Sequence, residues 1–326
     1  MVVIYFQTQS GIQSEELKEA NNHLLDNALW IDLICPTKKE ETIVEEQLQL
    51  EIPTKKEMEE IEPSSRLYIE NNVLFMTATM VAMSDLPEVK TDVVTFILTK
   101  KQLITVRYTK LYTFDLFSSK LLRSKTKVFN ATSMLIELLD TATERLADIL
   151  EKISHKFDEI SQLIFHSKAS NPTINETDYK QILQNIGANG DLGTKAGESL
   201  VSLIRLISFL EQTHGPEISK DMRSSLIIIN KDINAINDYA SFLSTKFNFL
   251  LDATLGMINI EQNNIIKIFS MAAVVFLPPT LIASIYGMNF EHMPELRWYI
   301  GYPIALIMMF FSAWVPFRYF KKKKWF

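Results

Sequence analysis

"IFSMAAVVFLPPTLIASIYGMNFEHMPELRWYIGYPIALIMMFFSAWVPF", Ile268 to Phe317, decides how the chain is built. Its first 19 residues, Ile268 to Tyr286, carry no charge, and neither do the 20 from Trp298 to Phe317. At about 1.5 Å of rise per residue, each run is long enough for a helix to cross the hydrocarbon core of a bilayer. Two buried helices of a soluble core are the competing reading, but core helices are shorter and show a polar face. The pattern therefore predicts two membrane spans joined by a short connection.

Charge orients the pair. Arg318 and Lys321 to Lys324 follow the second run directly. Basic residues flanking a span stay cytoplasmic, and two spans return the chain to its starting side. Both termini are thus expected in the cytoplasm of an inner-membrane, multi-pass protein. The basic tail, with Trp325 and Phe326 in it, reads as an anchor to anionic headgroups rather than a nucleic-acid patch. Six of the 33 basic residues and two of the 39 acidic ones lie beyond Lys267, so Met1 to Lys267 carries a net charge of about −10. That balance argues against nucleic acid as a partner and suits cations. The opening MVVIYFQTQSG lacks the basic and long apolar regions of a signal peptide. The single cysteine, Cys35, cannot form an internal disulfide and fits a reducing compartment.

Upstream of the spans, the sequence predicts a mixed α/β cytoplasmic domain over residues 1–130. VVIYF and ALWIDL are short β-prone runs. RLYIENNVLFMTATMVAM reads as a hairpin turning at Asn71-Asn72, and DVVTFILTKKQLITVRY as another turning near Lys100-Lys101. EEQLQLEIPTKKEMEEIE reads as helical. An antiparallel helical pair is expected over 131–215. Its first helix runs from Ala131 to His166, SKASNPTINETD is the loop, and the second helix spans roughly Asp178 to Glu211, loosened around GANGDLG and broken at THGPE. A stalk helix follows over 216–267 and runs directly into span one, 268–286. Residues 287–297 form the outer loop, 298–317 span two and 318–326 the basic tail.

In the stalk, Ile229, Ile233, Ile236, Ala240, Leu243, Phe247, Leu250, Thr254 and Met257 step by alternating four and three. That is a heptad seam, which calls for packing against other helices, those of other subunits included. The preceding helices of the same chain are the alternative partners.

Two spans cannot enclose a water-filled path. Either they only anchor the chain, or several chains surround a pore. Asn263, Ile266, Phe269, Ser270, Ala273, Leu277, Thr280 and Ser284 fall on one helical stripe, with polar residues bracketing an apolar middle. This fits a pore with polar mouths and a hydrophobic constriction, and equally a helix-packing face. Pro278 and Pro279 free carbonyls in span one, which hydrocarbon tolerates only beside protein or a wet cavity. With no Asp, Glu, His, Lys or Arg in either span, any ion handled there meets neutral oxygens. Mg²⁺, which dehydrates reluctantly, suits that arrangement.

YGMNF at the end of the first of two C-terminal spans, then MPELRW and KKKKWF, resembles the CorA family of divalent-cation transporters. The resemblance implies an α/β cytoplasmic domain, long stalk helices and a C-terminal two-helix hairpin. It also implies a homopentamer that passes Mg²⁺, with Co²⁺ or Ni²⁺ as further cargo and no cofactor besides the ion. Gly287, Met288 and Asn289 would form the outer mouth, with the Asn289 amide on the hydrated ion. Thr280 would be a second polar ring, Leu277 and Phe269 constrictions, and Asn263 the inner ring; Ile266 and Ala273 lie on the same pore-lining stripe. Glu291 and Glu295 would raise the cation concentration at the entrance. Feedback by Mg²⁺ on cytoplasmic acids is also implied. Ile228 occupies the position where the family's stalk acid is expected, leaving Asp232, Glu59 and Glu60 as the regulatory candidates. A zinc-transporting relative and a membrane-anchored coiled-coil scaffold are the rival functions. No motif of an enzyme is present, and the five histidines have no metal-ligand spacing.

Overall fold

The computed structural model describes residues 1–9, 11–82, 89–123, 129–166, 176–214, 219–289 and 293–323. The chain divides into two compact units, Met1–Leu251 and Asp252–Phe326.

The first unit is built on a seven-stranded sheet with the order β2-β1-β3-β7-β6-β5-β4. Its strands are β1 (Val2–Thr8), β2 (Gly11–Glu16), β3 (Ala28–Ile34), β4 (Leu67–Glu70), β5 (Val73–Val81), β6 (Thr91–Leu98) and β7 (Leu103–Arg107). Every neighbouring pair is antiparallel except β3 with β7. Both predicted hairpins form. Asn71 and Asn72 take φ of 48° and 62°, the left-handed pair that a two-residue turn between β4 and β5 requires. All five residues of β7 are buried, so the sheet is covered on both faces. Alternation along the strands sorts the covers. Val2, Ile4, Ile31, Leu33, Ile104 and Val106 face one core together with Val44 of α1 (Lys38–Leu48) and Met58 of α2 (Lys55–Met58). Trp30, Asp32, Thr105 and Arg107 point the other way, where α4 (Tyr112–Arg123) supplies Phe114 and Phe117. There Asp32 and Arg107, both buried, form an ion pair at 2.8 Å.

The segment read as helical, EEQLQLEIPTKKEMEEIE, instead holds the end of α1 and the short α2, with a break between them. Thr37 caps α1 in a reciprocal box with Glu40, and α1 stops where Gln49 turns left-handed. Thr54 then caps the single turn α2 in the same way with Glu57. A second single turn, α3 (Pro63–Arg66), leads into β4. Pro53 disfavours helix at Ile52, so the two caps fall on either side of it.

Helix α5 (Ala131–His166) has the predicted bounds. Helix α6 runs unbroken from Glu176 to His214, without the loosening expected at GANGDLG. Packing supplies the reason. A Cβ on Gly190 would stand 2.3 Å from the ring of Phe247, so bare backbone lets that ring lie against α6. Of the loop SKASNPTINETD, residues 167–175 lie outside those described.

Helix α7 (Lys220–Tyr286) carries the stalk seam. In the first unit Leu226, Ile229, Ile233, Leu243 and Leu250 are buried, with Ile236, Ala240 and Phe247 half-buried. The chain's own helices provide the cover. Phe247 meets Phe157 of α5 at 6.3 Å, Lys246 pairs with Asp158 at 2.7 Å, and the Asn230 amide donates to Glu211 of α6 at 3.4 Å. Over this length the seam packs on α5 and α6 of its own chain, the alternative partners, and leaves a cavity of about 320 Å³ beside Ala240, Leu243 and Phe247.

The second unit holds the rest of α7, a 3₁₀ turn (Pro294–Arg297) and α8 (Gly301–Lys322). Both α7 and α8 contain stretches long and apolar enough to span a membrane.

Candidate functional site

Span one shows two contrasting faces. Met271 is buried, and Val275, Pro278, Pro279, Ile282 and Tyr286 are half-buried. On α8 the shielded residues are Gly301, Ala305, Met309, Ser312, Ala313, Pro316 and Phe320. In a unit built of two helices, the faces that lose exposure are those turned toward each other. Four of these α8 residues are Gly, Ala or Ser, which let a neighbouring backbone approach closely.

The stripe singled out in the sequence lies elsewhere. Asn263, Ile266, Phe269, Ser270, Ala273, Leu277, Thr280 and Ser284 are all exposed. At about 100° per residue, the centre of this stripe falls about 180° from the centre of the shielded face of α7. Ile266, Phe269 and Leu277 are 61%, 71% and 65% exposed, so none of the described residues covers them. The hydroxyl of Thr280 donates to the Phe276 carbonyl at 2.8 Å. Its oxygen keeps lone pairs to accept from a ligand. Pro278 and Pro279 contribute no amide hydrogens, so the carbonyls of Val274 and Val275 lose their usual helical donors.

Helix α7 ends at Tyr286. The Gly287 amide donates to the Ala283 carbonyl at 2.9 Å, and a Cβ there would stand 3.1 Å from that same oxygen. Any larger residue would press on the helix end. Met288 donates to Ile285 at 3.3 Å, and both Met288 and Asn289 are exposed beyond the terminus. The structure thus puts Gly287, Met288 and Asn289 at the end of the helix that carries the stripe. Of the entrance acids, Glu291 lies outside the described residues, and for Glu295 only the backbone, in the 3₁₀ turn, is described.

The regulatory candidates do not come together in one chain. Glu59 pairs with Lys55 at 3.8 Å, and the Glu60 carbonyl accepts from Arg66 at 2.6 Å. Asp232 is exposed on α7, on the side of Asp140 of α5. Burial first, then Glu144, Glu137 and Asp232, push the Asp140 carboxyl up, against the pull of Lys120. Among the described residues no group of three His, Cys, Asp or Glu is arranged to hold a metal.

One surface escaped the sequence reading. Ile228, Tyr239, Phe242 and Phe249 are 58%, 39%, 57% and 58% exposed and step along α7 by eleven, three and seven. They form a second apolar stripe, about 120° around the helix from the covered seam. The same heptad spacing that revealed the first seam would have found it. Ile228, the residue at the expected acid position, belongs to this stripe.

A large mixed sheet, a 67-residue helix and a terminal pair of spans with an exposed stripe define an integral membrane protein whose soluble part precedes its membrane part. The family model described as "CorA-like Mg2+ transporter protein" matches residues 26–322, and the chain belongs to this family of inner-membrane transporters. The magnesium transport protein CorA of Wolinella succinogenes is 35% identical over 307 residues, covering 93% of this chain and 92% of that one. The protein of the same name from Escherichia coli strain K12 is 35% identical over 303 residues, covering 92% and 93%. In fold, the chain is similar to the complete structure of the CorA magnesium transporter from Methanocaldococcus jannaschii, with a TM-score of 0.74 at 17% identity over 100% of this chain and 99% of that one.

Proposed function

We propose that this chain assembles with copies of itself, as a homopentamer, into a passive Mg²⁺ channel lined by the α7 stripe. One observation carries the reading: the polar-ended stripe faces away from α8 and is uncovered by the described residues. Facing lipid, Thr280 would be costly, while Asn263 lies below the span at its cytoplasmic mouth. Turned toward a common axis, they and the Asn289 amide ring offer neutral oxygens to an ion that keeps its waters. Leu277 and Phe269 then form the apolar constrictions, where closure by dewetting needs only a small change in width. Ile228, Tyr239, Phe242 and Phe249 supply a second surface for neighbouring copies in the cytoplasm. Glu291 and Glu295 concentrate cations outside. An inside-negative potential drives entry, worth about 2.3 kcal/mol per charge per 100 mV. Co²⁺ and Ni²⁺ are further cargo by the same chemistry.

The test is reconstitution in liposomes with a trapped Mg²⁺ dye, comparing the native chain with Asn289→Ala. The native protein should admit Mg²⁺ and the variant should lose most of that flux. No influx at low internal Mg²⁺ would leave a membrane-anchored scaffold. Faster Zn²⁺ than Mg²⁺ entry would move the chain to zinc transport.

A further inference from the structure

Helix α8 does not end with its apolar run; it continues to Lys322 and carries Arg318, Lys321 and Lys322 as regular helical turns. At about 100° per residue, Trp314, Arg318, Lys321 and Lys322 fall within a sector of about 100°. That sector lies about 170° from the face of α8 shielded by the chain. All four side chains are exposed. The Arg318 guanidinium lies over the Trp314 ring at 5.3 Å, and Lys323 lies over Tyr319 at 5.9 Å.

Among the described residues these cations have no acidic partner. Helix α8 contains no acid, and Asp252 and Glu261, the other described acids of this unit, form no ion pair with them among the described residues. The opposite end of the span is different in kind. Trp298, Tyr299 and Tyr302 gather there beside Arg297 alone. One end is thus an aromatic belt, and the other an aromatic-cationic cluster pointing away from the chain's own helix.

We propose that Arg318, Lys321 and Lys322 bind the headgroup of an anionic phospholipid against the Trp314 ring. Over the ring, the exposed guanidinium has N–H groups to offer a phosphate oxygen pair. The lysines add charge around the same position. Acyl chains of the bound lipid run along the outer face of α8, beside Phe310, Phe311 and Trp314, whose rings contact each other edge to face. This goes beyond a general attraction of the tail to the membrane. It assigns a headgroup position, a face of the helix and the side chains that hold it. It rests on α8 spanning the bilayer and not on which ion passes.

The test uses the full chain with Trp298→Phe and Trp325→Phe, so that Trp314 is the only tryptophan in the membrane and Trp30 stays in the soluble core. It is reconstituted in phosphatidylcholine vesicles containing a minor fraction of brominated phosphatidylglycerol or brominated phosphatidylcholine, and quenching of tryptophan fluorescence is read. Phosphatidylglycerol should quench more strongly. Each basic residue near an anionic surface is worth about five-fold in binding, so Arg318→Gln/Lys321→Gln/Lys322→Gln should reduce the preference by up to about a hundred-fold. Lys323 and Lys324 remain in this variant to keep the orientation. Equal quenching of the native chain by the two lipids overturns the proposal without any appeal to the variant. So does a preference that the triple change leaves intact, or one that inorganic phosphate erases at matched ionic strength, which would mark a site for free anions.

Discussion

Replacing Asp32 by alanine tests what holds the centre of the sheet. Asp32 sits on β3 and Arg107 on β7, the one parallel pair, and both are at most 3% exposed. The carboxylate accepts from Arg107 Nη2 at 2.8 Å, from Nε at 3.2 and 3.3 Å, and from the Thr105 hydroxyl at 2.7 Å. Thr105 in turn accepts from the Trp30 indole at 2.9 Å. Without Asp32, the guanidinium keeps one bond, to the Thr109 carbonyl at 3.2 Å, and the face of Phe114 at 4.5 Å. A buried charge left without its partner costs about 3–5 kcal/mol. The lost acceptor for Thr105 adds about 1 kcal/mol, though the two effects overlap. At about 2–4 °C per kcal/mol for a domain of this size, the midpoint should fall by about 10 °C. Thermal unfolding of the full chain in detergent, followed through Trp30, measures this. Asp32→Leu/Arg107→Leu should recover most of the loss, since a buried pair replaced by apolar residues of suitable volume is close to neutral. A single variant within about 1 kcal/mol of native would refute the reasoning. So would a double variant no better than the sum of the two single changes.

Two further predictions use the same assay. Gly197→Ala, where a Cβ meets nothing within 4 Å, should stabilise α6 by up to about 1 kcal/mol, while Gly190→Ala, 2.3 Å from the Phe247 ring, should lose that gain or reverse it; equal effects at the two sites would show that the ring does not depend on Gly190. Burial, reinforced by Asp32, pushes the Tyr5 hydroxyl up to about 12 from 10.0. A raised pKa in the fold means that stability is fully present below the unfolded value and declines as pH climbs toward 12. The shift corresponds to about 2–3 kcal/mol lost between those values. Tyr5→Phe should reduce that decline, leaving the part due to half-buried Tyr108 and Tyr68, whose hydroxyls burial also raises; an unchanged slope would contradict the assignment.

Much of this protein is written in periodicity. The two uncharged runs, the bounds of α5, the paired asparagines and the heptad seam follow from spacing, because a helix or strand repeats whatever surrounds it. GMN between two terminal spans was enough for the family. Local chemistry misled where two signals competed. The acidic run after Ile43 has helix-forming composition, yet Gln49, Pro53 and two Thr-Glu boxes divide it. Gly190, which would weaken an isolated helix, sits in α6 because the Phe247 ring from another helix fills its space.

Other features depended on which surfaces meet. Sequence placed Asn263, Leu277 and Thr280 on one stripe but left pore and packing face equally open, since both favour small and hydroxyl residues. Only the fold showed that the two spans shield each other on the opposite face and leave the stripe bare. Sequence likewise offered the stalk seam to neighbouring subunits; the fold gave it to α5 and α6 and exposed a second stripe instead. The Asp32–Arg107 pair, 75 residues apart, had no local signal at all, because β3 meets β7 only once the sheet has formed. Periodicity fixes which side chains share a face. What that face touches depends on contacts between distant segments, and those exist only in the folded chain.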